Sequence, residues 1–377
     1  MGGTIRTTLN TATSLAELGH EVVIVSCTRH KEIADFEIDP RITVIDLFDN
    51  RDPSEGGESL GRTERALRDR PSFLDKRSVA GPRASSALMD RRVKRYLRTT
   101  PADVVIGTSA ATNFYLAEYG RRRTVRIAQE HLYLDLYNEG IRDWILSKYR
   151  GLDAVVTTTE RDAEAYRKAM PRYRGVIQCV PNSVPACPVE RADHVDNIVM
   201  AGGRLHRSKG FDTLIRAFAR VSDRHPDWRL RIYGRGPVEK DLRQLIEDLR
   251  ETDRIELMGT VTPLGPEWAK AAIAVVPSNF ESFGLTIIEA MGAGAPLICT
   301  KVPHGPLELV DHEVNGLFIE KKHRRALEAA LTRLIEDPSL RAKLADGGRE
   351  TARRFEPDQI VHRHVELFER LFAKRSE

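Results

Sequence analysis

The chain is poor in several features that define whole classes of protein. Its 377 residues hold four cysteines (Cys27, Cys179, Cys187, Cys299), scattered, with no CxxC and no metal-ligand spacing. That argues against a disulfide scaffold or a zinc module and fits a reducing cytoplasm. No apolar run approaches the length that spans a bilayer. The first residues, MGGTIRTTLN, lack the basic-then-apolar pattern of a secretory leader. There is no Asp-x-Asp pair, no HExxH, no GxSxG and no GxxxxGK[ST]. A metal held by paired aspartates, zinc-protease chemistry, hydrolase-elbow chemistry and a P-loop are therefore not indicated.

The formal charge of +4 is too small to imply a nucleic-acid partner. One stretch is strongly basic: residues 61 to 98 hold twelve Lys or Arg against four Asp or Glu. Aromatic residues are too sparse there to stack bases. The stretch reads as a solvated helix face with a loop, or as a surface drawn to an anionic acceptor or an anionic membrane. Within it, the spacing of Leu88, Val93, Tyr96 and Leu97 predicts an amphipathic helix.

What is present is an α/β rhythm at a length that implies two cores. Short apolar runs predict strands at 22–25, 41–47, 103–107, 125–128, 154–158 and 176–180. Pro181 to Pro185 and the polar segment to 196 mark a boundary. The rhythm then resumes with strands at 198–201, 229–233, 255–258, 273–276, 296–300 and 316–319. Helices are predicted near 138–150, 160–170, 238–250, 284–291, 324–336, 338–345, 347–354 and 357–374. Residues 49–83 and 303–315 read as loops. The glycines Gly2 and Gly3 precede a helical pattern ending at Gly19. Such a glycine loop normally follows a strand, so this reading leaves the first domain without its first strand.

The most informative stretch is IAVVPSNFESFGLTIIEAMGAG, residues 273 to 294. A buried strand, a polar turn and a helix in that order leave free N–H groups at the helix start. Together with the helix dipole they favour a bound phosphate. Glu281 before the helix and Glu289 on it frame this place, either as ligands for hydroxyls or as an ordinary helix-start acid and a solvated side chain. After the strand at 198–201, Arg204 and Lys209 could neutralise a diphosphate. Gly234 and Gly236 form a turn that a ligand could approach closely. His131 follows the end of a strand, where open α/β sheets bind ligands.

Taken in order, GGRLHRSKG, YGRGP, MGTV, ESFGLTIIEAMGAGAP and GPLELVDHEVNGLFIE resemble the family-four retaining glycosyltransferases. The spacing of Glu281 and Glu289 matches their paired-glutamate signature, and Gly203 to Gly210 their glycine–arginine–lysine loop. Gly2, Gly3, Arg6 and the segment from Gly19 to Val22 match near the N-terminus. The resemblance implies a GT-B fold, two Rossmann-like domains facing each other across a cleft. Its expected boundaries are 1–181 plus 357–377 on the acceptor side and 182–356 on the donor side, the last helix crossing back.

The resemblance also implies a nucleotide-sugar donor, UDP-sugar first among the choices. Arg204 and Lys209 would hold its diphosphate, with Phe283, Gly284, Leu285 and Thr286 beside it. Glu281 would bind sugar hydroxyls and Glu289 the ribose. Gly234 and Gly236 would lie against the donor, and Met258 to Val261 would wall the base. From the first domain, His131 would reach the sugar, and Gly2, Gly3 and Arg6 would lie near the phosphates. Transfer would proceed with retention, without metal or cofactor. The acceptor would be a surface glycan, a lipid-linked molecule or a secondary metabolite. The loop Pro303 to Pro306 with Glu308 resembles relatives that act on polymer or surface-glycan acceptors. The competing readings are a GT-B nucleotide-sugar epimerase and a non-catalytic nucleotide-sugar binder. The location implied is cytoplasmic, at most peripheral to a membrane, with no nucleic acid bound.

Overall fold

A computed structural model describes residues 3–31, 37–77, 85–189 and 196–376. The chain divides into two compact units, Met1–Pro181 with Ile360–Glu377, and Asn182–Gln359.

The N-terminal unit contains, in order, α1 (Gly3–Glu17), β1 (Val23–Ser26), β2 (Thr43–Asp46), α2 (Arg62–Arg68), α3 (Ala87–Thr99), β3 (Val104–Gly107) and α4 (Ala110–Tyr119). Then come β4 (Val125–Gln129), α5 (Glu139–Lys148), β5 (Ala154–Thr157), α6 (Glu160–Ala169) and β6 (Val176–Cys179). Strands β3 to β6 form one parallel sheet in sequence order, whereas β1 and β2 pair only with each other. A strand ahead of Gly3 has no counterpart among the described residues. The difference shows in burial: β5 is buried throughout, while Val23 and Val44 stay 38% and 41% exposed. Tyr149, Phe114, Ile145 and Leu74 fill the core between α3, α4, α5 and the four-stranded sheet.

Two expectations change here. Of the loop expected at 49–83, residues 78–83 lie outside the described residues, and residues 49–77 are not simply a loop. They include α2 and short 3₁₀ turns at Pro53–Glu55 and Phe73–Arg77. Arg92 on α3 ties part of this segment down, donating to Glu58 at 2.6 Å and Glu64 at 2.9 Å. The apolar stripe of α3 is also spent inside the protein: Leu88, Val93 and Leu97 are buried in the core. That stripe therefore offers nothing to a membrane.

The C-terminal unit runs β7 (Ile198–Gly202), α7 (Phe211–Ser222), β8 (Arg229–Tyr233), α8 (Glu239–Asp248), β9 (Ile255–Gly259), α9 (Gly265–Ala269), β10 (Ile273–Val276) and α10 (Leu285–Gly292). It continues with β11 (Leu297–Thr300), α11 (Gly305–Leu309), β12 (Leu317–Ile319), α12 (Arg324–Glu336) and α13 (Pro338–Arg353). Its six strands are parallel in the order β12-β11-β10-β7-β8-β9. Cores lie on both faces, as a doubly wound sheet requires. On α7, Leu214, Ile215, Phe218 and Val221 recur at helical spacing and all reach zero exposure. The helix α14 (Pro357–Ser376) ends the chain, its residues from Ile360 onward belonging to the N-terminal unit.

The loop expected at 303–315 contains α11, and the two helices expected on either side of residue 346 are one, α13. Gly347 and Gly348 do not break it because they serve packing. A Cβ on Gly347 would sit 2.3 Å from the Val314 carbonyl oxygen, and Gly348 lies against Met291. Among the described residues no helix is long and apolar enough to cross a membrane.

Truncating Phe218 to Ala should destabilise the C-terminal unit by about 3–5 kcal/mol, the usual cost of emptying a buried aromatic site. Val314→Ala, at a side chain 51% exposed, should stay within about 0.5 kcal/mol. Urea denaturation followed by tryptophan fluorescence checks both, and equal losses would contradict this account of the core.

Candidate functional site

In the C-terminal sheet β7 is the first strand laid down, β8 and β9 extend it on one side, and β10 to β12 on the other. The chain therefore reverses direction between β7 and β10, and the loops leaving these two strands open a crevice at their carboxyl ends. Those loops are residues 203–210 and 277–284. They are joined: the Asn279 N–H donates to the Ser208 carbonyl at 2.7 Å, and Asn279 Nδ2 to the Arg207 carbonyl at 3.3 Å. Lys209 Nζ donates to Glu281 Oε2 at 2.6 Å. Two residues singled out on separate motifs thus form one ion pair, with side chains only 24% and 11% exposed. Arg204 stands on the same loop, exposed, with no ion-pair partner among the described residues.

The helix α10 begins at this crevice. Its cap, Gly284, has φ +100°, a conformation that L side chains rarely adopt. Having no side chain, it leaves the helix start uncapped, and no acid occupies the first turn. The first N–H groups satisfied within the helix are those of Ile287 and Ile288, both donating to the Gly284 carbonyl. The amides of Gly284, Leu285 and Thr286 have no intrahelical acceptor, so the N-terminal end of α10 is a ready anion site. The loop after β11 meets the same place through the Gly305 N–H, which donates to the Ser282 carbonyl at 3.1 Å. Next to it His304 has φ 68° in a non-glycine residue, a strained backbone of the kind that clusters at binding sites.

The other donor-side residues fall into two groups. Met258 and Val261, at the carboxyl end of β9, are 38% and 42% exposed, an apolar pair open to a ligand. Phe283 is buried and packs edge-on against Phe355, with ring centroids 5.8 Å apart, so its side chain builds the core. Glu289 is 8% exposed, a buried carboxylate on α10 and not a solvated one. Gly234 and Gly236 hold the loop after β8 against the loop after β7. A Cβ on either would fall 1.9 Å from the Gly203 carbonyl oxygen or 2.2 Å from that of Leu205.

In the N-terminal unit, Gly3 and Arg6 lie in the first turn of α1, and Gly2 lies outside the described residues. His131 follows Glu130 just beyond β4, at the carboxyl edge of the four-stranded sheet. Glu130 went unnoticed in the sequence. It is 1% exposed and accepts hydrogen bonds from Asn113 Nδ2 at 2.9 Å, Tyr137 Oη at 2.7 Å and Tyr149 Oη. Burial pushes its carboxyl above the ordinary range, with these three donors pulling the other way. The signal was the polar run Gln129-Glu130-His131 closing an apolar strand. A second residue, His364 of α14, is 2% exposed, with Nδ1 unpartnered among the described residues.

The fold, two α/β units with parallel sheets, the second with a topological switch point between β7 and β10, is that of the GT-B glycosyltransferases. A Glycosyltransferase Family 4 model matches residues 1–186, and a Glycosyl transferases group 1 model matches residues 188–351. The chain is 31% identical over 297 residues to the lipopolysaccharide core biosynthesis glycosyltransferase LpsD of Rhizobium meliloti, covering 77% of this chain and 82% of LpsD. It is 32% identical over 389 residues to an exopolysaccharide phosphotransferase of Streptomyces coelicolor, covering all of this chain but only 40% of that protein. Among solved structures, sucrose-phosphate synthase of Thermosynechococcus elongatus superimposes with TM-score 0.78 at 21% identity, over 99% of this chain and 94% of that one. Anabaena HepE in complex with UDP gives 0.74 at 18% identity, over 98% and 96%. The chain belongs to the family-four glycosyltransferases.

Burial first, and the neighbouring His131 second, hold the His364 pKa down to about 4. An unfolded histidine titrates near about 6.5, so the unfolded chain takes up this proton first. The stability tied to His364 is intact above about pH 6.5 and is lost as pH falls towards 4. His364→Leu should flatten the stability of the N-terminal unit across that window. Denaturant titrations at neutral and acidic pH check this, and an unchanged acid loss in the variant would contradict it.

Proposed function

We propose that this chain moves a sugar from a nucleotide-sugar, UDP-sugar by preference, to a glycan acceptor with retention of the anomeric configuration. The observation that carries this reading is the joining of the loops after β7 and β10, beside the uncapped start of α10. As the C1–O bond to the diphosphate breaks, its electron pair and growing negative charge pass to the β-phosphate oxygen. Arg204, Lys209 and the amides of Gly284 and Leu285 are suited to stabilise that charge more in the transition state than in the bound donor. The acceptor oxygen forms its bond to C1 on the same face, and its proton goes to the departing phosphate oxygen. In this reading Lys209 and the helix start take the charge-neutralising part that a bound metal would play.

Glu281 accepts hydrogen bonds from the donor sugar's hydroxyls, and Glu289 from the ribose. Gly3, Arg6 and His131 are proposed to act on the donor as the family resemblance implies. Met258 and Val261 offer apolar surface to the base. The glycan acceptor is supported by relatives named for lipopolysaccharide core and exopolysaccharide, and the UDP donor by structures solved with UDP. The Streptomyces relative is named a phosphotransferase, which supplies a second reading, transfer of sugar phosphate. A donor labelled at the β-phosphate separates the two: the label leaves with the nucleotide in sugar transfer and follows the sugar in the other.

Arg204→Ala and Lys209→Ala should each lower turnover by about 10² or more, and wild-type rates in both would remove their assigned role. Glu281→Ala should impair transfer more than UDP binding measured by calorimetry; equal losses would count against contact with the sugar. Turnover should survive treatment with EDTA.

A further inference from the structure

Strand order sets what stands beside the crevice between β7 and β10. β8 and β9 extend the C-terminal sheet from β7. Two strand spacings put the end of β9 about 10 Å from the end of β7. The loops leaving these three strands are laced together by their main chains. The Gly203 N–H donates to the Tyr233 carbonyl at 2.9 Å, the Leu205 N–H to the Arg235 carbonyl at 3.0 Å, and the Gly234 N–H to the Gly259 carbonyl at 2.6 Å. The backbone of Arg235 is thereby fixed while the residue stays exposed. Its side chain reaches the end of β9. A Cβ built on Gly259 would have Arg235 Nε 4.0 Å away and, its chain neighbours apart, no other atom as near. Gly259 has φ +73°, a conformation that keeps side chains out of this place.

What surrounds Arg235 there is unspent. Met258 and Val261 are an exposed apolar pair. The main-chain groups of Thr260 and Val261 have no hydrogen-bond partner among the described residues. The guanidinium has no ion-pair partner among them either. Glu239 at the start of α8 is taken by Arg243 at 2.9 Å, and Glu256 on β9 lies 3.8 Å from Arg231. We infer that Arg235 binds the base of the nucleotide, its guanidinium lying flat on one face of the ring. A planar cation stacks on a π-face, and free peptide N–H and C=O groups suit the polar edge of a base. A diphosphate would use the cation but neither the apolar pair nor the free carbonyls, which favours the base as its partner. The strand order agrees, since Lys209 and the start of α10 lie at β7 and β10, with β8 between them and β9. This inference rests on the nucleotide-sugar reading above and adds to it the residue that grips the base.

The test is calorimetry of the full chain with UDP, GDP and ADP, and with inorganic pyrophosphate, which has no base. Arg235→Ala should weaken the best-bound nucleotide by about tenfold, the scale of a partly desolvated cation–π contact. Its affinity for pyrophosphate should stay unchanged, which also shows that the variant is folded. Arg235→Lys keeps the charge but has no plane to stack, so its nucleotide affinity should stay low. The inference is overturned by unchanged nucleotide affinity in Arg235→Ala, by an equal loss of nucleotide and pyrophosphate, or by full recovery in Arg235→Lys. Those three results leave the nucleotide-sugar reading standing. A wild-type chain that binds none of the three nucleotides more tightly than pyrophosphate overturns both.

Discussion

The ion pair between Lys209 and Glu281 binds two loops that are far apart in the chain. Each loop leaves a different strand at the one place where the C-terminal sheet reverses its order. An ammonium and a carboxylate held this close, both largely shielded from water, keep the crevice shaped before any ligand arrives. The backbone link from Asn279 to Ser208 reinforces the same join. The arrangement also sets a condition on binding. A diphosphate that takes Lys209 must either share it with Glu281 or free the carboxylate for another partner, such as a hydroxyl. In the proposed reaction this one contact couples the charge offered to a phosphate to the acid offered to a sugar.

Around that join the packing is purposeful. Gly284 leaves the start of α10 open where a capping side chain would close it. Gly234 and Gly236 let the loop after β8 press on the loop after β7. Phe283 and Glu289 are buried, so the segment that presents the open amides is anchored from below. In the N-terminal unit the same logic gives Glu130, the residue before His131, three hydrogen-bond donors. Both candidate surfaces rest on polar groups fixed by the core rather than on mobile side chains.

Much of this was legible in the residues. Apolar runs bounded by glycine and proline mark β4, β5, β7, β8 and β10 to within a residue or two, because buried parallel strands tolerate little else. Other features were hidden for reasons of distance. The helix α2 is polar and held partly by Arg92 from another element, and α11 has only five residues, with proline in its first turn. The glycines of α13 serve contacts with Val314 and Met291 that no periodicity along the chain reveals. The apolar positions of α3 could have faced lipid or core, and only packing against α4 and the sheet decided for the core.

By itself the sequence determined the α/β class, the two-part organisation of motifs and the residue types able to meet a diphosphate and a sugar. These follow from local periodicity and from spacing within one loop or helix. Only the tertiary structure decided that Lys209 and Glu281 touch, that Glu130 is the buried partner of the β4 end, and that the Arg235 side chain reaches Gly259. Those juxtapositions arise from strand order and parallel register, which bring together residues that no window along the chain contains.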